Sequence, residues 1–100
     1  MLELDRVGAA DFSPLLHDIF RLATPDGASL DLELAEMYES GRNRPGQERS
    51  SFSLLFKGTR DKLLPQQMYR MEHATLGVMD LMIVPVREDQ DGYYYEAVFN

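Results

Sequence analysis

The hydrophobic positions in the last third of the chain fall into three runs, residues 68–73, 78–86 and 93–99. Apolar and polar residues alternate in the first and third runs, whereas the middle run is apolar at nearly every position. Alternation is typical of a strand with one buried face, and a continuous apolar run is typical of a strand that is covered on both faces. The pattern therefore predicts a central strand over residues 78–86 with a half-buried strand on each side.

A similar alternation occurs nearer the N-terminus, in residues 19–23 and 29–35. The sequence Pro-Asp-Gly at residues 25–27 separates these two runs, and it favours a tight turn because proline fixes φ and glycine accepts φ > 0. We therefore predict a β-hairpin. The alternation changes phase near residues 35–36, where we expect a β-bulge or the end of the strand. The side chains predicted to face the core are Phe20, Leu22, Leu30, Leu32 and Leu34.

The remaining elements are shorter. Residues 52–57 alternate and predict another strand, which ends at Gly58, whereas residues 39–51 are polar and predict a loop. Residues 11–17 carry a helix-start signal, because Asp11 or Ser13 could cap the helix and Pro14 is acceptable in its first turn. In the connection that follows residue 58, the two apolar residues Leu63 and Leu64 are expected to cover one end of the sheet.

Together these elements predict a mainly all-β fold. The strands form a six-stranded antiparallel meander that closes into a small barrel or a compact sandwich, with one short N-terminal helix. The chain of 100 residues has room for one modest hydrophobic core, so residues 1–100 are expected to form a single β domain.

The charge and the residue content exclude several classes of protein. The formal net charge is −7, and proteins that bind a nucleic-acid backbone usually carry a basic surplus. No apolar run reaches the ~20 residues of a membrane-spanning helix, so neither nucleic acid nor membrane is an expected partner. The N-terminus lacks the basic region and cleavage site of a secretory signal, which predicts a cytoplasmic protein at least at synthesis. The chain has no cysteine, which excludes disulfides and thiolate chemistry.

The most reactive pair in the sequence is Glu72-His73, since carboxylates and imidazoles are common acid–base groups. Adjacent residues of a strand point to opposite faces, so these two side chains do not converge on one substrate. The pair His17-Asp18 is likewise expected to be structural, at the end of the short helix. The two histidines lack the HxH or HExxH spacing of a metal site. We therefore predict no catalytic residues, no metal and no cofactor, and a protein that is not an enzyme.

Several segments together resemble a known protein family. They are residues 52–58 (FSLLFKG), 64–73 (LPQQMYRMEH), 84–86 (VPV) and 95–100 (YEAVFN). The chain resembles a bacterial family of roughly 100-residue proteins that is described as a domain of unknown function, and the likeness extends from residue 11 to the end. The resemblance implies a small all-β fold without an assigned activity, and a loose association with the genes of phage-tail-like collar and fibre proteins. The chain departs from the family pattern at Gln67 and Ala74, where glycine and proline are expected.

The outer face of the predicted central strand is the main candidate for function. Apart from Asp80 this strand has no polar face, and aromatic residues such as those of the run 93–95 are enriched at the centres of interfaces. We therefore predict a non-enzymatic protein-interaction or assembly module that binds a protein partner or itself. The candidate interaction residues are Val78, Met82, Val84, Tyr93, Tyr94 and Tyr95.

Two alternatives remain open at this point. A small ligand-binding barrel would have its mouth lined by Tyr69, His73 and the loop from Arg42 to Arg49, and a hydrolase would use His73 as its acid–base group. The polar loop is a separate candidate for binding an anionic partner, because guanidinium groups pair bidentately with carboxylate or phosphate. Its candidate residues are Arg42, Arg44 and Arg49.

Overall fold

Six antiparallel strands, whose side chains alternate between the two faces of the sheet, close into a barrel. The predicted all-β fold is thereby confirmed. The structure is a computed structural model, and it describes residues 7–39 and 51–99. The predicted hairpin joins the first two strands, with Gly27 at φ 88° in its turn. The strands are β1 (Ile19–Ala23), β2 (Ser29–Glu39), β3 (Phe52–Gly58), β4 (Gln67–His73), β5 (Gly77–Asp89) and β6 (Gly92–Phe99).

The order of the strands around the barrel is β1-β2-β3-β6-β5-β4, and β4 pairs with β1 to close it. The prediction of a six-stranded antiparallel barrel is confirmed. The chain does not follow a single meander, however, because β3 pairs with β6 rather than with β4. Two three-stranded meanders are joined by residues 59–66, which pass across one end of the barrel. Alternation in the sequence predicts which face of a strand is buried, but it does not identify the strand's neighbour.

A short helical segment closes the opposite end of the barrel. Helix α1 (Ala9–Phe12) continues into a single 3₁₀ turn, Ser13–Leu15. The helix begins earlier than predicted, because Gly8 is the N-cap and its N–H donates to the Asp11 carboxylate at 2.8 Å. The ring of Phe12 is fully buried, and its centroid lies 5.9 Å from that of Phe52 and 5.5 Å from that of Phe99.

The connection over residues 59–66 is fixed by one buried side chain. Leu64 is buried, and its N–H donates to the hydroxyl of Tyr95 at 3.0 Å. Leu63 instead is 53% exposed, so only one of the two leucines covers the barrel end as predicted. The structural reason is that the hydrogen bond to Tyr95 directs Leu64 towards the core and leaves its neighbour outside.

Two β-bulges change which side chains face outwards. The first lies between Leu34 and Glu36, where the change of phase in the sequence predicted it. It returns Tyr38 to the outer surface of β2. The second lies between Pro85 and Arg87 in β5, where no change of phase in the sequence predicted it.

The barrel interior is filled by apolar side chains that the alternation of the strands directs inwards, with α1 and Leu64 at the two ends. Phe20 and Phe56 meet edge to face there, with ring centroids 5.2 Å apart. The largest fully buried side chains are Tyr95, Phe12, Phe20, Phe52, Phe56, Leu22, Leu32, Leu34, Leu54, Leu64, Met71 and Met79.

Candidate interaction site

His73 is a buried side chain of a type that could carry acid–base chemistry, at 5% exposure. Its Nε2 lies 2.9 Å from an oxygen of the Asp18 carboxylate. Its Nδ1 accepts two backbone N–H bonds, from Thr75 at 3.0 Å and from Leu76 at 3.2 Å. Because Nδ1 accepts twice, the ring proton resides on Nε2 and is donated to Asp18. Both ring nitrogens therefore have structural partners. Nδ1 is bonded to the turn after β4, and Nε2 is bonded to the segment that leads into β1.

The sequence pairs Glu72 with His73 and His17 with Asp18, but the structure pairs these residues differently. His73 bonds to Asp18, whereas His17 lies 3.1 Å from the carboxylate of Glu33 on the exposed surface. An aspartate that orients a histidine is also found in catalytic triads, where the second ring nitrogen faces a nucleophile. In His73 that second nitrogen is bonded to the turn, so the geometry is that of a structural histidine.

The predicted outer face of β5 is apolar, as expected. Met79, Leu81 and Ile83 point into the barrel and are buried, while Met82 points outwards and is 46% exposed. Val78 and Val84 also lie on the outer face and are half-buried. Apart from Asp80, which forms an ion pair with Arg70 at 3.0 Å, the central strand is thus apolar on both faces, and part of its outer face is accessible.

The three tyrosines predicted to extend this face lie in three different environments. Tyr95 points into the barrel and is 1% exposed, so it is a core residue. Tyr94 points outwards but is buried, because the Arg87 guanidinium lies 4.1 Å above its ring. Tyr93 is half-buried and packs against the core. Neither Tyr94 nor Tyr95 is therefore accessible to a partner. The burial of Tyr94 follows from the second β-bulge, because the bulge brings Arg87 opposite that residue.

Exposed apolar side chains missed by the sequence analysis extend the accessible face around the barrel. Met68 lies directly opposite Met82, Val98 lies opposite Ser53, and Ser53 lies opposite Tyr38. The β5–β6 pairing ends at Val84 and Glu96, each two residues along its strand from Met82 and Val98. Met68, Val98 and Tyr38 are each more than half exposed. We call this row of Met68, Met82, Val98, Ser53 and Tyr38 the apolar row. An available signal was that Met68 and Val98 occupy positions where alternation predicts an outward side chain, whereas Tyr38 reaches such a position through the first bulge.

A shallow depression of about 150 Å³ lies at one end of the apolar row. Its walls are Tyr38, Glu39, Ser51, Phe52, Ser53 and Val98. The hydroxyl of Tyr38 donates to the Glu36 carboxylate at 2.8 Å, and this hydrogen bond raises the pKa of Tyr38 above its ordinary value. Tyr38 is therefore a neutral donor at physiological pH. The depression is thus lined by aromatic, aliphatic and polar residues, with Glu39 as its acidic member.

The other candidates give no site in the described part of the chain. Arg42, Arg44 and Arg49 of the predicted anion-binding loop lie outside the described residues. Among the described residues, no three His, Asp or Glu side chains are grouped so that they could hold a metal ion. No helix within residues 7–39 and 51–99 is long and apolar enough to cross a membrane.

The fold and the surface define the class of protein: a small closed antiparallel β-barrel with a packed interior and an exposed apolar row. The chain belongs to the family DUF6916, a domain of unknown function, whose profile covers residues 7–99. The expected membership of a family of small domains without assigned function is thereby confirmed. No curated protein and no solved structure matches the chain.

Proposed function

We propose that this domain is a non-enzymatic protein-interaction module that binds its partner through the apolar row. The observation that carries the proposal is that exposed apolar side chains lie on neighbouring strands of one part of the barrel surface. Met68 is opposite Met82 on β4 and β5, and Val98 of β6 and Tyr38 of β2 lie on either side of Ser53 of β3. Scattered apolar residues are normal on a protein surface, whereas contiguous ones mark interaction sites. Methionine also adapts its shape to a partner surface because it is unbranched and flexible.

A protein is the best-supported class of partner. The surplus of acidic residues that gives the chain its net charge of −7 opposes binding to the anionic backbone of nucleic acid or to anionic lipid. Apolar side chains grouped on a sheet face bury surface well against another protein.

The hydrogen bonding of the His73 ring supports a non-catalytic role for the domain. Its two ring nitrogens bond to Asp18 and to the turn after β4, so neither is directed at a substrate position. The packed interior also weighs against the ligand-binding alternative. Tyr69, which was expected at the barrel mouth, is buried and donates to the Pro65 carbonyl at 2.8 Å.

We also propose that the partner is a subunit of a larger assembly, such as a phage-tail-like or fibre structure. The support for this step is the resemblance in sequence, which links the genes of the family loosely to collar and fibre proteins. Co-expression with collar or fibre proteins encoded beside the gene tests it, and co-purification that depends on Met82 and Val98 is expected.

Photo-crosslinking tests whether the apolar row is the contact surface. A photoreactive residue placed at Met82 or Val98 should give one defined product in cells, either a dimer or an adduct with one partner. Positions Ile19 and Leu63 serve as controls, because each is 53% exposed and lies outside the row. Light scattering across a wide concentration range distinguishes a dimer from a foreign partner.

The double variant Met82→Glu/Val98→Glu should then lose the association while it keeps its melting temperature within a few degrees. The matched double variant Ile19→Glu/Leu63→Glu should associate like the wild type. Tyr94 is unsuitable for this test because its side chain is buried, and a glutamate there would disturb the fold. The proposal fails if the Met82/Val98 variant associates normally, or if crosslinks form equally well from the two control positions.

A further inference from the structure

Four of the six methionines form two cross-strand pairs on β4 and β5. Met68 lies directly opposite Met82 on the outer face, where the two side chains are 55% and 46% exposed. Met71 lies directly opposite Met79 on the inner face, where both side chains are fully buried. The same two strands therefore present one pair of thioethers to solvent and enclose the other pair in the core.

Burial decides which of these thioethers an oxidant reaches. A peroxide must contact the sulfur atom to oxidise it, so a sulfur in a close-packed core is protected until the fold opens. Met68 and Met82 are therefore accessible to peroxide in the folded barrel, whereas Met71 and Met79 are not. Methionine is also the only sulfur-containing residue type in the chain, which has no cysteine.

The oxidation transfers one oxygen atom and two electrons. The O–O bond of hydrogen peroxide breaks, one oxygen becomes bonded to the methionine sulfur as a sulfoxide, and the other leaves as water. Two thiols reverse the reaction, because they are oxidised to a disulfide while the sulfoxide oxygen leaves as water. The change is thus reversible, and it converts an apolar side chain into a polar one.

Oxidation at the outer pair would change the surface and leave the core intact. Side chains directly opposite each other on antiparallel strands have Cβ atoms about 4.5–5.5 Å apart, so sulfoxides at Met68 and Met82 would form one polar patch. The next pair on this outer face is already polar, because Arg70 donates to the Asp80 carboxylate at 3.0 Å. The oxidised methionines would therefore extend the polar surface from that ion pair into the β4–β5 end of the apolar row.

We propose that Met68 and Met82 form a reversible oxidation site, through which peroxide lowers the affinity of the apolar row for its partner. The effect on affinity rests on the proposed function, whereas the selective oxidation does not. Two polar sulfoxides must give up bound water when a partner covers them, and two thioethers hold little, so oxidation makes binding less favourable.

Peptide mapping by mass spectrometry tests the oxidation site. The purified protein is treated with dilute hydrogen peroxide, and the sulfoxide content of each methionine is followed with time. Met68 and Met82 should be oxidised at least about tenfold faster than Met71 and Met79, because the inner pair reacts only after the barrel opens. The same measurement in urea gives the rates without burial. Similar rates for the two pairs in the folded protein would refute the site.

Crosslinking from a photoreactive residue at Val98, a position without sulfur, measures the effect on association. The protein is oxidised, freed of peroxide and added to a lysate of the cells in which the crosslinked product forms. Oxidation should lower the yield of that product at least about fivefold, and methionine sulfoxide reductase with a thiol should restore it.

Two double variants are matched controls. Met68→Leu/Met82→Leu keeps the surface apolar at nearly constant volume, so it should give the product equally well before and after peroxide. Met68→Gln/Met82→Gln resembles the oxidised pair in polarity, so it should give little product without peroxide.

The results distinguish this inference from the proposed function. If the wild type gives no product before oxidation, the proposed function and the effect on affinity both fail, and peptide mapping decides the oxidation site separately. If the product forms equally well after oxidation, the effect on affinity is refuted while the apolar row remains a contact surface. If peroxide lowers the yield of the leucine variant as well, a different residue is responsible and the inference is refuted.

Discussion

At the scale of single residues, His73 shows how a polar group is accommodated in the core of a small barrel. Its ring centroid lies 4.7 Å from that of Phe20, so one face of the imidazole packs like an aromatic residue. Its two ring nitrogens meanwhile form hydrogen bonds with the Asp18 carboxylate and with the N–H groups of Thr75 and Leu76, which are far from Asp18 in sequence. A buried polar side chain that is fully bonded in this way fixes the geometry around it.

Substitution of His73 should separate its two structural roles, the bond to Asp18 and the acceptance of the N–H groups of the turn. In His73→Asn the side-chain carbonyl stands close to the position of Nδ1 and still accepts the N–H groups of Thr75 and Leu76. In His73→Leu both N–H groups lose their acceptor. Each variant is expected to lose roughly 2–3 kcal/mol in the free energy of unfolding, measured with urea.

Hydrogen exchange of the Thr75 and Leu76 amides distinguishes the two variants. Protection should persist in His73→Asn and be lost in His73→Leu. If the leucine variant retains protection at both amides, the turn does not depend on the imidazole.

At the scale of secondary-structure elements, Tyr95 connects β6 to the segment that crosses the barrel end. Its hydroxyl accepts the N–H of Leu64 and also lies 3.4 Å from the carbonyl of Lys62. Burial of the phenol raises the pKa of Tyr95 above the ordinary value of 10.0. The neutral phenol is thus the form that the folded state requires.

The raised pKa predicts a dependence of stability on alkaline pH. A raised pKa in the folded state gives a stabilising contribution that is complete below about pH 10 and is lost as the pH rises towards the folded-state pKa. Tyr95→Phe should cost about 1–2 kcal/mol at pH 8, because the buried N–H of Leu64 loses its acceptor. Between pH 8 and 11, urea midpoints should fall more steeply for the wild type than for the variant. Parallel curves would show that Tyr95 does not titrate with folding.

The strands were largely predictable from the sequence, but which strands pair with one another was not. The alternation in residues 19–23, 29–35, 52–57 and 93–99 predicted strands, inward faces and the first bulge, because each of these depends on neighbouring residues only. The pairing of β3 with β6 and the contact between Asp18 and His73 join residues far apart in sequence, which no local pattern encodes.

The same distinction applies to the candidate site. Met82 was predicted because it lies in a continuous apolar strand. Met68, Val98 and Tyr38 are single apolar residues on alternating strands, and they become a row only when the strands are paired. The burial of Tyr94 could not be predicted, because it depends on the bulge that places Arg87 over its ring.

At the scale of the whole molecule, the barrel has one narrow seam. Strands β1 and β4 are joined by three residue pairs, whereas β3 and β6 are joined by seven. Local opening is favoured where fewest contacts must be broken. We therefore expect the barrel to open first between β1 and β4.

Two engineered disulfides of similar loop length test the order of opening. Arg21→Cys/Glu72→Cys bridges the seam, and Ser53→Cys/Val98→Cys bridges β3 and β6; each links residues that lie directly opposite one another. Loops of this size give about 4 kcal/mol of entropic stabilisation in both cases. The bridge across the seam should slow unfolding more, as measured by stopped-flow fluorescence relative to each reduced form. Equal slowing by the two bridges would contradict early opening of the seam.

Closure of the sheet also has a consequence for the behaviour of the protein at high concentration. Each of the six described strands has a neighbour on both sides, so the barrel has no edge strand that is open along its whole length. Many copies held at high local concentration are thereby protected from polymerising into cross-β fibres. A closed barrel can therefore be present in many copies without the strand addition to which an open sheet edge is prone.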